Sequence, residues 1–99
     1  PKNSLVRQYK TLLSYDMVEL EFAPGSLEAV ADKAIEMDIG ARGLRSVMEG
    51  VMTEVMYEVP SDDRIDKVII TEAAVKGGEK PTIHRRPKPK LDPEVVSAS

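Results

Sequence analysis

Cysteine is absent from this 99-residue sequence, which excludes disulfides, thiolate zinc sites and a cysteine nucleophile, and leaves the redox compartment open. Histidine occurs once, at His84, with no second histidine to complete a metal site and no neighbouring nucleophile, so it is assigned no catalytic role. No apolar run approaches the roughly 18 to 20 residues that cross a bilayer, and the opening PKNSLVRQYK lacks the apolar stretch of a secretory signal. The chain therefore reads as soluble, with the cytoplasm as the expected compartment. It opens on Pro1 rather than a methionine, which reads as a segment of a longer polypeptide.

What is present suffices for one compact domain: 41% hydrophobic and 31% charged residues are close to globular averages. Charge is uneven. Residues 1–79 carry nine Lys/Arg against fifteen Asp/Glu, whereas residues 80–99 carry five against two, giving an acidic body and a basic tail. An acidic body opposes broad adhesion to phosphate backbones, which needs a cationic surface, so generic nucleic-acid binding is disfavoured.

Hydrophobic spacing predicts an α+β fold with three main helices and a small two- or three-stranded sheet. Leu5, Tyr9, Leu12 and Leu13 recur at helical intervals between Asn3 and about Tyr15, with Asn3 or Ser4 as the expected cap. Val18, Leu20 and Phe22 alternate with Glu19 and Glu21, as in a half-buried strand. Pro24 suits the first turn of a second helix whose inward face is Leu27, Val30, Ala31, Ala34 and Ile35, ending near Asp38 with Gly40 as its left-handed stop. The third helix runs from about Arg42 to Glu58 on Leu44, Val47, Met48, Val51, Met52, Val55 and Met56, and Pro60 is expected to terminate it. Lys67 to Thr71 reads as a β-branched strand, and Pro81 to Arg85 as a short edge strand after a Gly77–Gly78 turn, both able to pair with the first strand. Three prolines among residues 87–99, with little apolar content, read as a flexible tail after a domain spanning residues 1–86.

The stretch Asp38-Ile39-Gly40-Ala41-Arg42-Gly43-Leu44-Arg45-Ser46 breaks the local rules for a helix start. A first turn favours acidic residues, because its free amides carry about half a positive charge; two arginines there cost roughly 0.3–1 kcal/mol each unless an anion meets them. A phosphate would: free amides donate to its oxygens, Gly40 and Gly43 permit close approach, and a guanidinium offers forked donors. The bland alternative is two surface ion pairs, Arg42 with Asp38 and Arg45 with Glu49.

The words PKNSLVRQY, VELEF, IGARGLRS, MYEVPS and KVIITE resemble, over about residues 1–86, the C-terminal small domain of the ClpX family of AAA+ unfoldases. IGARGLR resembles that family's sensor-2 motif, whose arginine falls on Arg42, with Gly40, Ala41 and Gly43 beside it at the nucleotide. PKNSL, from Pro1 and Lys2 through Asn3 and Ser4 to Leu5, resembles the family's hinge. The resemblance implies ATP or ADP with Mg2+ bound mainly by a preceding large domain, a homohexameric ring in which each small domain docks on a neighbouring large domain, and delivery of unfolded substrates to the ClpP peptidase. Nothing here resembles a P-loop, so hydrolysis by this chain alone is not expected.

Other features read as structural. Met48, Met52 and Met56 form a stripe expected in the core, with part of that face available for docking. Gly50, mid-helix, suggests a close backbone contact. Asp62, Asp63 and Asp66 lack the spacing of a calcium loop and read as a solvated turn, and Arg85, Arg86, Lys88 and Lys90 as a solubilising run. Two rival functions remain: a helix-turn-helix reader of nucleic acid, against which Glu49, Glu54 and Glu58 count, and an adaptor without nucleotide contact.

Overall fold

The structure is a computed structural model that describes residues 2–37 and 42–87. Four helices and a three-stranded sheet follow in the order α1 (Lys2–Ser14), β1 (Glu19–Phe22), α2 (Ser26–Met37), α3 (Arg42–Ser61), β2 (Ile65–Ile70), α4 (Glu72–Lys76) and β3 (Thr82–Arg85). The α+β expectation with three main helices is met.

Helix α1 buries Leu5 and Leu13 and half-buries Tyr9, as the helical spacing marks out, and also half-buries Val6, but Leu12, expected on the same face, is 46% exposed. It is already helical at Lys2, so Asn3 and Ser4 lie exposed inside its first turn and neither is its cap. Met17, at φ 60°, then reverses the chain into β1 and is the one non-glycine residue with positive φ among the described residues. Alternation holds in β1, where Leu20 is buried between exposed Glu19 and Glu21.

Pro24 lies ahead of α2 rather than in its first turn. The helix begins at Ser26, whose buried hydroxyl donates to the Ala23 carbonyl at 2.7 Å. Ala29, Val30 and Ala34 face the core, but Ile35, expected inward, is 75% exposed, because it lies a third of a turn beyond the buried stripe. The expected end at Asp38 and stop at Gly40 lie outside the described residues.

Helix α3 is the longest element and the core's spine, burying Val47, Met48, Met52, Val55 and Val59, with Met56 half-buried. It continues past Pro60 to Ser61. Proline's fixed φ is compatible with a last turn, and Ser61 Oγ donates to the Glu58 carbonyl at 2.9 Å there. The close contact expected at Gly50 is absent among the described residues: beyond its own helix backbone, no described atom lies within 4 Å of where its Cβ would stand. Gly43 makes it instead, since a Cβ there would lie 3.0 Å from the Ala34 carbonyl oxygen, so α2 and α3 cross with their backbones nearly touching.

The sheet order is β1-β2-β3, with β1 and β2 parallel (Leu20 opposite Val68) and β2 and β3 antiparallel (Val68 opposite Ile83). Only β2 pairs with β1; β3 lies on the far side of β2 and does not reach it. The helical pair α2 and α3 forms the crossover between the parallel strands. Strand β2 starts at Ile65, two residues earlier than the β-branched run suggests, and Asp66 is an extra residue at a register shift. Thr71, expected as strand, caps α4: its hydroxyl accepts from the Ala74 amide at 3.0 Å. That helix lies against α2, where Lys33 Nζ donates to the Val75 carbonyl at 3.1 Å.

Candidate functional site

Arg42 is the first residue of α3 and Arg45 lies one turn on; both are exposed, and no acidic residue accompanies them in the first turn. Support for this turn comes from Gly43, buried against Ala34, and from the fully buried Met48 and Met52 farther along the helix. Two guanidinium groups therefore stand on a stiff base at a positively polarised helix end. Gly40, Ala41 and the proposed Asp38 partner lie outside the described residues.

The second bland pairing is not formed: Arg45 and Glu49 make no ion pair. Both instead flank Tyr9 of α1. Its hydroxyl is held above the ordinary phenol value, first by burial and then by the Glu49 carboxylate, with Arg45 acting in the opposite direction. Helix α1 thus lies beside the start of α3, carrying Arg7 and Lys10 and no acidic residue.

Partnering divides the cations sharply. Among the described residues, Lys67 meets Glu21 at 3.1 Å, Lys76 meets Glu72 at 2.7 Å, Lys80 meets Glu54 at 3.6 Å and Arg85 meets Asp62 at 2.7 Å. Lys33, Arg64 and Arg86 donate to main-chain carbonyls of Val75, of Pro87, and of Met17 and Ile65, respectively. Arg7, Lys10, Arg42 and Arg45 alone have no oxygen partner among the described side chains, and all four lie on α1 or the first turn of α3. In a chain of net charge −3 that surplus is local. The arrangement can accept an anion of high charge density, and its exposed guanidinium groups fit phosphate oxygens. Among the described residues no cluster of three His, Asp or Glu side chains could hold a metal ion.

Of the residues expected to form a hinge, Lys2, Asn3, Ser4 and Leu5 are helical, and Leu5 is anchored in the core at 6% exposure; Pro1 lies outside the described residues. The methionine stripe is divided, with Met48 and Met52 fully buried and Met56 half-buried.

The 62–64 turn lies at the surface, as the solvated reading expects, but Arg85 and Arg86, read as part of a solubilising run, are tied down at the end of β3. Asp62 accepts from the Arg64 amide at 2.9 Å and from Arg85 Nε, and His84 Nδ1 donates to Asp66 at 2.6 Å. Both carboxyl groups are held below the ordinary carboxylate value, Asp62 chiefly by the Arg85 hydrogen bond and Asp66 chiefly by His84. Lys88 and Lys90 lie outside the described residues. No helix of the described residues is long and apolar enough to cross a membrane.

Comparison with known proteins adds a family. The family described as the C-terminal, D2-small domain of ClpB protein matches residues 2–73. Three relatives carry the name ATP-dependent Clp protease ATP-binding subunit ClpX. The one from Bacteroides fragilis is 42% identical over 85 residues, covering 86% of this chain and 20% of its own length. The one from Borrelia duttonii is 45% identical over 75 residues, covering 76% of this chain and 18% of its own. A ClpX 2 from Wolinella succinogenes is 39% identical over 83 residues, 84% of this chain and 21% of its own. The chain thus spans about a fifth of the length of these relatives.

Proposed function

Because the chain belongs to the family of C-terminal D2-small domains described for ClpB protein, and is similar over most of its length to ClpX proteins, we propose that it serves as the small domain of an ATP-dependent protein unfoldase in the cytoplasm. Residues 1–86 are the working unit and residues 87–99 a basic tail. The unfoldase is a homohexamer that passes unfolded substrates to the ClpP peptidase, and each small domain touches its own large domain and a neighbouring subunit.

ATP with Mg2+, held mainly by the large domain, would supply free energy on hydrolysis to ADP and phosphate, ADP being the spent form that stays bound until exchange. Arg42 directs its guanidinium at the outer phosphates, where positioned charge is the main source of catalysis in phosphoryl transfer. By the resemblance Gly40 and Ala41 stand beside the nucleotide with Gly43, whose part is the close packing on Ala34 that seats the start of α3. The hinge pivots ahead of Leu5, because Leu5 is buried and moves with the body. Loss of the outer phosphate removes a charged contact from a rigid helix end, and the change is read as a rotation of the whole domain.

The observation that carries this reading is the pair of exposed arginines at the start of α3 that have no partner among the described residues, where a helix start ordinarily takes acidic ones. Glu49, Glu54 and Glu58 farther along α3 count against a duplex reader. The test is Arg42→Ala in the intact parent protein, following ATP turnover, nucleotide affinity and unfolding of a folded substrate. ATP-driven unfolding is expected to fall roughly tenfold or more, while thermal unfolding of the 99-residue chain is unchanged. Unaltered turnover together with unaltered affinity would remove the sensing role.

A further inference from the structure

Two main-chain segments distant in sequence, at Met17 and at Arg64–Ile65, converge on Arg86. Its Nη2 donates to the Met17 carbonyl at 3.2 Å and to the Ile65 carbonyl at 3.1 Å, and its amide donates to the Arg64 carbonyl at 2.6 Å. Its Nε is buried and without a partner, so the guanidinium reaches into the body instead of extending to water as most arginines do.

Both acceptors are available for a structural reason. Ile65 stands opposite Arg85 with the Arg86 amide bonded to the preceding Arg64 carbonyl, so the Ile65 carbonyl turns from β3 toward the β1 side, where pairing begins only at Lys67 and leaves it open to a side chain. Met17 turns the chain from α1 into β1 with φ 60°, a conformation that disfavours a residue with a Cβ and persists where its surroundings hold it. The main-chain hydrogen bonds of the turn among the described residues run back into α1: Asp16 and Val18 amides donate to the Leu13 carbonyl and the Met17 amide to the Ser14 carbonyl. Arg86 supplies a tie from this turn to the sheet.

We propose that Arg86 is a clamp that fixes the α1–β1 turn to the start of β2, and so sets the direction in which α1 leaves the body. Its neighbours differ in kind. Arg85 and His84 make exposed pairs with carboxylates of the neighbouring turn and strand, whereas Arg86 bridges main-chain carbonyls of two separate segments. The clamp is a positioning device, and it stands whether or not Arg42 senses nucleotide.

Residue-resolved amide hydrogen exchange on the 99-residue chain tests this. In Arg86→Ala, the Met17 and Val18 amides are expected to exchange at least tenfold faster, while Met52 in α3 and Val30 in α2 stay within about twofold of the parent chain. Arg85→Ala removes an equal charge one residue away and should leave Met17 and Val18 unchanged. Should Arg86→Ala unfold the chain, Arg86→Lys, which can keep one of the two carbonyl contacts, is read in its place, with the same amides accelerated at least threefold. Turn amides that do not respond, amides that accelerate equally everywhere, or an equal response to Arg85→Ala would each overturn the clamp.

Discussion

Gly43 and Gly50 sit about two turns apart on α3, and the same substitution at each has opposite expected signs. A methyl group at Gly43 would lie 3.0 Å from the Ala34 carbonyl oxygen and 3.1 Å from the Ala34 Cβ, neither of which can move without shifting α2. Gly43→Ala should therefore destabilise by roughly 1–3 kcal/mol, with α3 pushed away from α2. At Gly50 nothing lies within 4 Å and the helix is exposed. Gly50→Ala should stabilise by about 0.5–1 kcal/mol, the propensity difference alone. Urea unfolding of the two variants checks both, and a Gly50→Ala chain less stable than its parent would show that the site meets an unseen constraint. The sequence pointed to Gly50 for the close backbone contact and to Gly43 for an approaching phosphate, and could not place the contact at Gly43, because that depends on how α2 crosses.

At the scale of elements, legibility followed length and period. Helices α1 and α3 bury or half-bury the positions that recur every three or four residues, Leu12 excepted, and β1 buries the alternate ones, so pattern alone located them. Helix α4 escaped because Glu72–Lys76 is too short for any period, and Thr71 extends a β-branched run while serving as a cap. Its stability rests on local chemistry: the Thr71 hydroxyl, the Lys76–Glu72 pair at 2.7 Å, and Gly77 at φ 88° closing the end. Thr71→Ala should cost about 1 kcal/mol, and because Val75 is buried against α2, the loss should appear in global unfolding as well as in the exchange of the Ala74 amide. Loss of neither would mean that packing of Val75 alone holds the segment. The candidate site divides the same way. Arg42 was legible because a cation at a helix start violates a local rule, whereas Arg86 was not, because its partners are main-chain carbonyls brought close only by the folded sheet.

For the whole molecule, acid is the informative perturbation. Asp62 and Asp66 titrate below 3.8, the ordinary carboxylate value, because Arg85 and His84 hydrogen-bond their ionised forms. Between the folded and unfolded pKa values the unfolded chain binds more protons, so this contribution is complete above about pH 5 and is lost as pH falls through the folded values. A second effect acts in the same range: once carboxylates are protonated, 14 Lys/Arg and one His leave a net charge near +15 on a 99-residue body, and self-repulsion opposes compactness. The two separate by salt, since repulsion among exposed charges is screened at a Debye length of about 3 Å in 1 M salt, while the short hydrogen-bonded pairs persist longer. The melting temperature should be flat from pH 5 to 8 and fall steeply below pH 4. Asp62→Asn with Asp66→Asn should lower the plateau and flatten only the part of the fall that high salt does not relieve. A pH profile with the same shape in the double variant would assign acid unfolding to net charge alone, and would mean that the ties between the 62–66 turn and β3 contribute geometry without measurable stability.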